Sequence, residues 1–237
     1  MKKLFILSIL FSLFLLSCEK DPEPEPEPIR AYCSFFHFVP ELGSVIWEVD
    51  EVEVPDAKEY AEHFLGSIIL ESAAENISFT VKQSGNKEVL ASHLFQLEQD
   101  KFYNIIVCGT TGNHSIFIKE IETSRPSSGM VKFQTFHAAN GQSSIDIYMG
   151  GNTADKQVVT DLEVFSFSDS FEAQNFDARA VILVSAHSEE FNQDSVIITS
   201  AYNENISSGA SYLTVLAPFT FDPESDLTFW LYDQPHD

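Results

Sequence analysis

His37 and His137 each close an apolar run, Phe35-Phe36-His37 and Thr135-Phe136-His137. Imidazole is the side chain that can serve as base, acid or metal ligand near neutral pH. Two uses are open for the pair. Each could be a ligand- or metal-binding position, one per repeat. Alternatively each ring packs inward and bonds a loop carbonyl, fixing the turn that follows. No carboxylate or second histidine recurs beside either at metal spacing, so the fold-building use fits better and no metal is expected. Acidic clusters (Glu48, Asp50, Glu51, Glu53 and Asp56; Asp222 to Asp226) invite a calcium reading. Calcium needs six to eight convergent oxygens, and neither segment has the glycine turn of a calcium loop. In a chain with 36 acids they read as solvated surface. Cys33 and Cys108 lie in strand-like apolar runs. A disulfide between them is one reading; two separate buried thiols is the blander and better one. There is no Gly-x-Ser-x-Gly elbow, His-Glu-x-x-His helix or phosphate-binding glycine loop. The chain is therefore expected not to be an enzyme and to need no cofactor. Sugar binding would call for exposed aromatics. In Leu227-Thr-Phe-Trp-Leu-Tyr232 the alternation puts Trp230 and Tyr232 on the face opposite Leu227, Phe229 and Leu231. They could form a stacking platform for a glycan, or pack against the first repeat.

The elements that must hold these residues are strands. Residues 35–50 (FFHFVPELGSVIWEVD) and 135–150 (TFHAANGQSSIDIYMG) align at an offset of 100 without a gap. A period that long marks a duplicated domain rather than a solenoid unit. Within each half the apolar period is two: Val45, Trp47 and Val49 against Ile46, Glu48 and Asp50, then Ile77 to Lys82, Phe102 to Cys108 and Ser115 to Lys119. The second half offers Val131 to Phe136, Ser144 to Tyr148, Ala180 to Ser185, Ser195 to Ser200, Tyr212 to Ala217 and Leu227 to Tyr232. Turn residues bound each run, and 21 phenylalanines suit strands better than helices. Six or seven short strands per hundred residues predict an all-β chain of two tandem β-sandwiches, residues 29–124 and 130–237, joined by a polar Pro/Gly linker. Ala57 to Phe64 is the one predicted helix, a short one in a loop.

The first 28 residues address the chain. Met1-Lys2-Lys3 followed by the apolar run Leu4 to Leu16 reads as a signal peptide, residues 1–17. Leu15-Leu16-Ser17-Cys18 resembles the lipobox of bacterial lipoproteins. That resemblance makes Cys18 the lipidated first residue of the mature chain and the lipid its hold on the membrane. Residues 18–28 then carry the lipid and an acidic Pro-Glu tether. Alternating proline keeps it extended, so ten residues reach roughly 30 Å at ~3.1 Å each. Acids directly after the lipidated cysteine also resemble the surface-export signal of Bacteroidetes lipoproteins; a plain spacer facing the periplasm is the other reading. The net charge of −23 argues against nucleic acid and against docking on anionic headgroups. Asp194-Ser195-Val196 resembles a Bacteroidetes O-glycosylation acceptor, which makes Ser195 a candidate glycosylation site.

The block Val131 to Tyr148 resembles the opening of the bacterial domain-of-unknown-function family 4397, where a strand ending in His-Ala precedes a short loop and a Val-Asp-Val-Tyr-type strand. His137-Ala138 and Ile145-Asp146-Ile147-Tyr148 match that pattern. The first repeat matches less well, with Phe38 for the alanine and Trp47-Glu48 in the second strand. The resemblance implies two immunoglobulin-like sandwiches on an exported bacterial protein and implies no activity. With the leader and tether, the expectation is an outer-membrane lipoprotein acting as a non-catalytic binding or adhesion module. Its partner would be a glycan or an envelope protein. The alternatives are a structural accessory subunit of a surface complex and, third, an unrecognised hydrolase.

Overall fold

A computed structural model describes residues 28–55, 58–70, 76–110, 112–188, 196–201, 206–218 and 226–235. The signal peptide, Cys18, most of the tether and Ser195 lie outside them. Among the described residues the first repeat holds β1 (Ile29–Phe38), β2 (Val45–Val49), β3 (Val52–Glu53), β4 (His63–Leu70), β5 (Ile77–Gln83), β6 (Val89–Phe95), β7 (Phe102–Thr110) and β8 (Asn113–Glu120). The second holds β9 (Met130–His137), β10 (Ile145–Met149), β11 (Gln157–Leu162), β12 (Phe171–Gln174), β13 (Val181–Ala186), β14 (Val196–Ala201), β15 (Ser211–Pro218) and β16 (Leu227–Gln234), with a short helix α1 (Asn175–Ala180). The protein is all-β, two tandem sandwiches of paired four-stranded sheets. One sandwich joins sheet β4-β1-β7-β8 to sheet β3-β2-β5-β6; the other joins β12-β9-β15-β16 to β11-β10-β13-β14. The two strand orders are the same. In both, the first strand runs parallel to the seventh (β1 with β7, β9 with β15) and the remaining pairs are antiparallel. Each unit is immunoglobulin-like in its two-layer packing and, among the described residues, has eight strands where the alternating runs predict six or seven.

Period-two sequence becomes packing directly. Ile77, Phe79 and Val81 of β5 are buried, while Ser78, Thr80 and Lys82 between them are partly open. Trp47 shares its face with Val45 and Val49 and fills the first core beside Phe35 and Phe79. The second core gathers Phe133, Ile145, Ile147, Val184 and Leu216. The helix expected over residues 57–64 does not form in its described part. Lys58 bridges to Val45, Tyr60 and Ala61 make a turn, and His63 starts β4. Four apolar residues in that octet could not outbid strand pairing to β1.

The sandwiches pack sheet to sheet. Phe36, Phe38, Ile106 and Cys108 on the outer face of β1 and β7 meet Phe136, Leu213, Val215 and Tyr232 of the second sandwich. Phe36 lies edge-on to Tyr232 at 5.0 Å, and Phe117 of β8 meets Phe136 of β9 at 5.4 Å. Tyr60 donates to Pro218 O at 2.9 Å and Tyr232 donates to Ala61 O at 2.8 Å. Complete burial of a phenylalanine contributes about 1.5–3 kcal/mol, so an interface with three of them joins the sandwiches firmly.

Candidate functional site

Strand direction sorts the loops into two ends. β1 rises from residue 29, next to the tether; β7 runs parallel to it, and β4 and β8 return. The linker from β8 reaches β9 at this same near end. There Asn104 bonds Gln134 and Gln234 across the interface. The far end holds the loops 39–44, 54–62 and 84–88 of the first sandwich and 138–144 and 163–170 of the second.

Both histidines serve those far loops. His37 is fully buried. Val39 N–H donates to its Nδ1 (3.2 Å), which places the proton on Nε2, and Nε2 donates to Gly43 O (2.9 Å). His137 repeats the arrangement with Ala139 N–H (3.3 Å) and Ser143 O (3.1 Å). Desolvation pushes the His37 pKa down to about 4 despite its carbonyl partner, and lowers that of His137 by the same cause. Both rings are neutral clamps on a sheet-to-sheet crossing. The ligand or metal use of His37 and His137 is thereby corrected: neither exposes a nitrogen to a ligand.

Trp230 and Tyr232 need a correction too. Both lie on the face opposite Leu227, Phe229 and Leu231, which pack into the second core. That face is covered by the first sandwich. Tyr232 is 8% exposed, and Trp230 packs in the same cluster and donates to Pro218 O at 3.4 Å. They are part of the joint between sandwiches and form no open platform. Cys33 and Cys108 are free thiols, one in the first core and one in the interface. Cys33 pairs with Tyr103 and Cys108 with Phe38, five positions further along the sheet, so no disulfide can span them. Burial pushes the Cys33 thiol up to about 12 and Cys108 well above its ordinary value. The acidic cluster at 48–53 disperses: Glu48 pairs with Lys82 at 2.6 Å, Glu53 with Lys87 at 3.2 Å, and Asp50 caps Ser78 N–H. Asp56 and Asp222 lie outside the described residues. Among the described residues, no three His, Cys, Asp or Glu side chains converge to hold a metal.

The far end of the second sandwich carries what the sequence did not single out. Asp146, near the top of β10, is fully buried. Its Oδ1 accepts Asp161 N–H and His187 Nδ1–H, both at 2.8 Å. His187 Nε2 lies 4.0 Å from Asp161 Oδ1. The imidazole thus sits between a buried and an exposed carboxylate. Asp161 has φ +52°, a left-handed value unusual outside glycine, and its bond to Asp146 helps hold it there. Asp161 also lines an open cleft of about 530 Å³ between β11 and β12. Its walls combine Leu162, Phe167 and Phe171 with Glu163, Ser166 and Asp169, and include no basic side chain among the described residues. The one available signal was Asp146 itself, a carboxylate inside the apolar run Ile145 to Met149; His187 had none.

No protein family matches the chain, and no curated protein does. Among solved structures, a family CBM26 carbohydrate-binding module of Eubacterium rectale Amy13K, crystallised with maltoheptaose, is 11% identical over 88% of this chain and 99% of that one, with a TM-score of 0.25. That overlap is too loose to carry a site or a ligand across.

Proposed function

We propose that this chain is an outer-membrane lipoprotein, held by a lipid on Cys18, whose paired sandwiches form a non-catalytic binding or adhesion module for a glycan. On this reading both repeats belong to the domain-of-unknown-function family 4397. The observation that carries it is polarity along the molecule. The tether enters at the near end, while the clamped loops and the 530 Å³ cleft occupy the opposite end, where a tethered module meets its partner. A cleft that mixes aromatic walls with carboxylates and hydroxyls suits a sugar's apolar ring face and polar rim. Its carboxylates and the net charge of −23 disfavour anionic glycans.

Two measurements test this. Metabolic labelling with a clickable fatty acid should tag the wild type and not Cys18→Ser. A glycan array should give binding that Phe171→Ala and Asp161→Asn weaken at least tenfold and Trp230→Ala, where it folds, does not. An untagged wild type ends the lipoprotein reading; binding to no glycan ends the ligand reading. A second reading, an accessory subunit that binds protein alone, draws on Phe176 (80% exposed), Val52 (70%) and Leu94 (65%). Affinity capture of one stoichiometric envelope protein, with no glycan bound, would favour it.

A further inference from the structure

The near end of the interface is polar yet buried. Asn104 of β7 spends both amide hydrogens across it, on Gln234 Oε1 (2.8 Å) and Gln134 Oε1 (3.3 Å). Lys132 is 6% exposed, and its Nζ bonds Glu122 Oε1 (3.0 Å), Ser124 O and Ser124 Oγ (both 2.6 Å), which uses its three hydrogens. Two polar atoms in this region meet no protein partner among the described residues, Asn104 Oδ1 and Ser211 Oγ. Ser211 is 4% exposed and lines a cavity of about 10 Å³ together with Gln134, Gln234, Lys132 and Ser170.

A buried hydroxyl without a partner is rare in a folded protein, because its desolvation goes uncompensated. The cavity volume matches one water molecule, which needs two to four polar neighbours. Lys132 and Glu122 in its lining neutralise each other, which leaves hydroxyl and amide groups to receive a neutral guest of water's size. We propose that one ordered water occupies this cavity, bound by Ser211 Oγ and the side-chain amides of Gln134 and Gln234, and completes a polar lock on the register of the two sandwiches. The aromatic part of the interface supplies adhesion that tolerates sliding. At the polar end a slipped register would strand buried amides, so that end selects one docking.

A high-resolution crystal structure of the full chain tests the proposal, read with thermal melting of Ser211→Ala and Ser211→Val. The expected result is a density peak about 2.6–3.2 Å from Ser211 Oγ and from the amide of Gln134 or Gln234. It should be lost in Ser211→Val, whose methyl groups take the space. Ser211→Ala should melt about 2–4 °C lower. Ser211 Oγ bonded directly to a protein atom with no peak beside it would overturn the proposal. So would Ser211→Ala melting with the wild type.

Discussion

The two sandwiches share a frame and differ at the far end. Each has the same strand order, the same buried histidine bonded to its own crossing loop, and a left-handed residue whose N–H reaches that histidine's carbonyl: Ala61 to His37 O at 2.8 Å, Phe165 to His137 O at 2.6 Å. Ser84 N–H bonds Ser44 O, and His187 N–H bonds Ser144 O, so residues 84 and 187 occupy one position. There the first sandwich has Ser84, with a buried Ile46 at the register position that Asp146 holds in the second, where His187 is paired to the buried Asp146. The shared features keep backbone polar groups paired; the differing ones put charge beside a cleft. Function-specific chemistry is therefore to be sought where the copies part.

The largest effect should come from what they share. His37→Phe and His137→Phe keep an aromatic ring but strand one N–H and one carbonyl each. Each variant should lose about 3 kcal/mol in chemical denaturation, the same in both halves. A cost confined to one half would break the equivalence. Acid sharpens the same point. His37 titrates at about 4 when folded, below its ordinary 6.5, so the unfolded chain binds more protons between those values. Stability should be complete above pH 6.5 and fall as pH drops toward 4, by about 3 kcal/mol from His37 alone. His137 shifts the same way and adds to the slope. His37→Phe should flatten the profile; an unchanged profile would show that the ring is not the titrating group.

Next in size is the point of difference. His187→Ser leaves Asp146 buried without its imidazole and should cost about 2–3 kcal/mol, somewhat less than a fully buried pair because His187 is a third exposed. Combining it with Asp146→Ile recreates the residues of the first sandwich. Replacing both partners of a buried hydrogen bond by apolar packing is often nearly neutral, so the double variant should recover to within about 1 kcal/mol of the wild type. It should also lose the carboxylate that holds the Asp161 N–H, seen as faster hydrogen exchange at the Asp161 amide. A double variant less stable than His187→Ser would mean that the outer face of β10 cannot accept the first copy's solution.

These contrasts also mark what a single sequence discloses. Alternation in β2, β5 and β16 makes their faces legible, down to Trp47 in a core and Trp230 opposite Leu231. β3, β4, β6, β11 and β12 are not among the alternating runs: β3 has two residues and β12 four, β4 (HFLGSIIL) and β11 (QVVTDL) set apolar residues side by side, and β6 (Val89–Phe95) is an uncharged edge strand, open on much of its length, whose burial does not alternate. Parity could say that Trp230 and Tyr232 leave the core, but not that a second sandwich covers them, because that depends on contacts more than a hundred residues away. The Asp146–His187 pair was hidden for the same reason. Its members are 41 positions apart and meet only through the pairing of β10 with β13.

The smallest effect asks whether even minor fittings are duplicated. At the foot of each seventh strand a tyrosine hydroxyl accepts a backbone N–H five residues upstream: Glu98 to Tyr103 at 3.0 Å and Ser207 to Tyr212 at 2.9 Å. Both rings are buried, so phenylalanine keeps their packing and removes the hydroxyl that accepts this N–H. Glu98 N–H and Ser207 N–H sit in loops near solvent and can turn to water, which limits the penalty. Tyr103→Phe and Tyr212→Phe should each cost about 1 kcal/mol in denaturant unfolding, equal within error, and additive because the two cores are separate. A cost for one and none for the other would show that the corners, like the far loops, have already diverged.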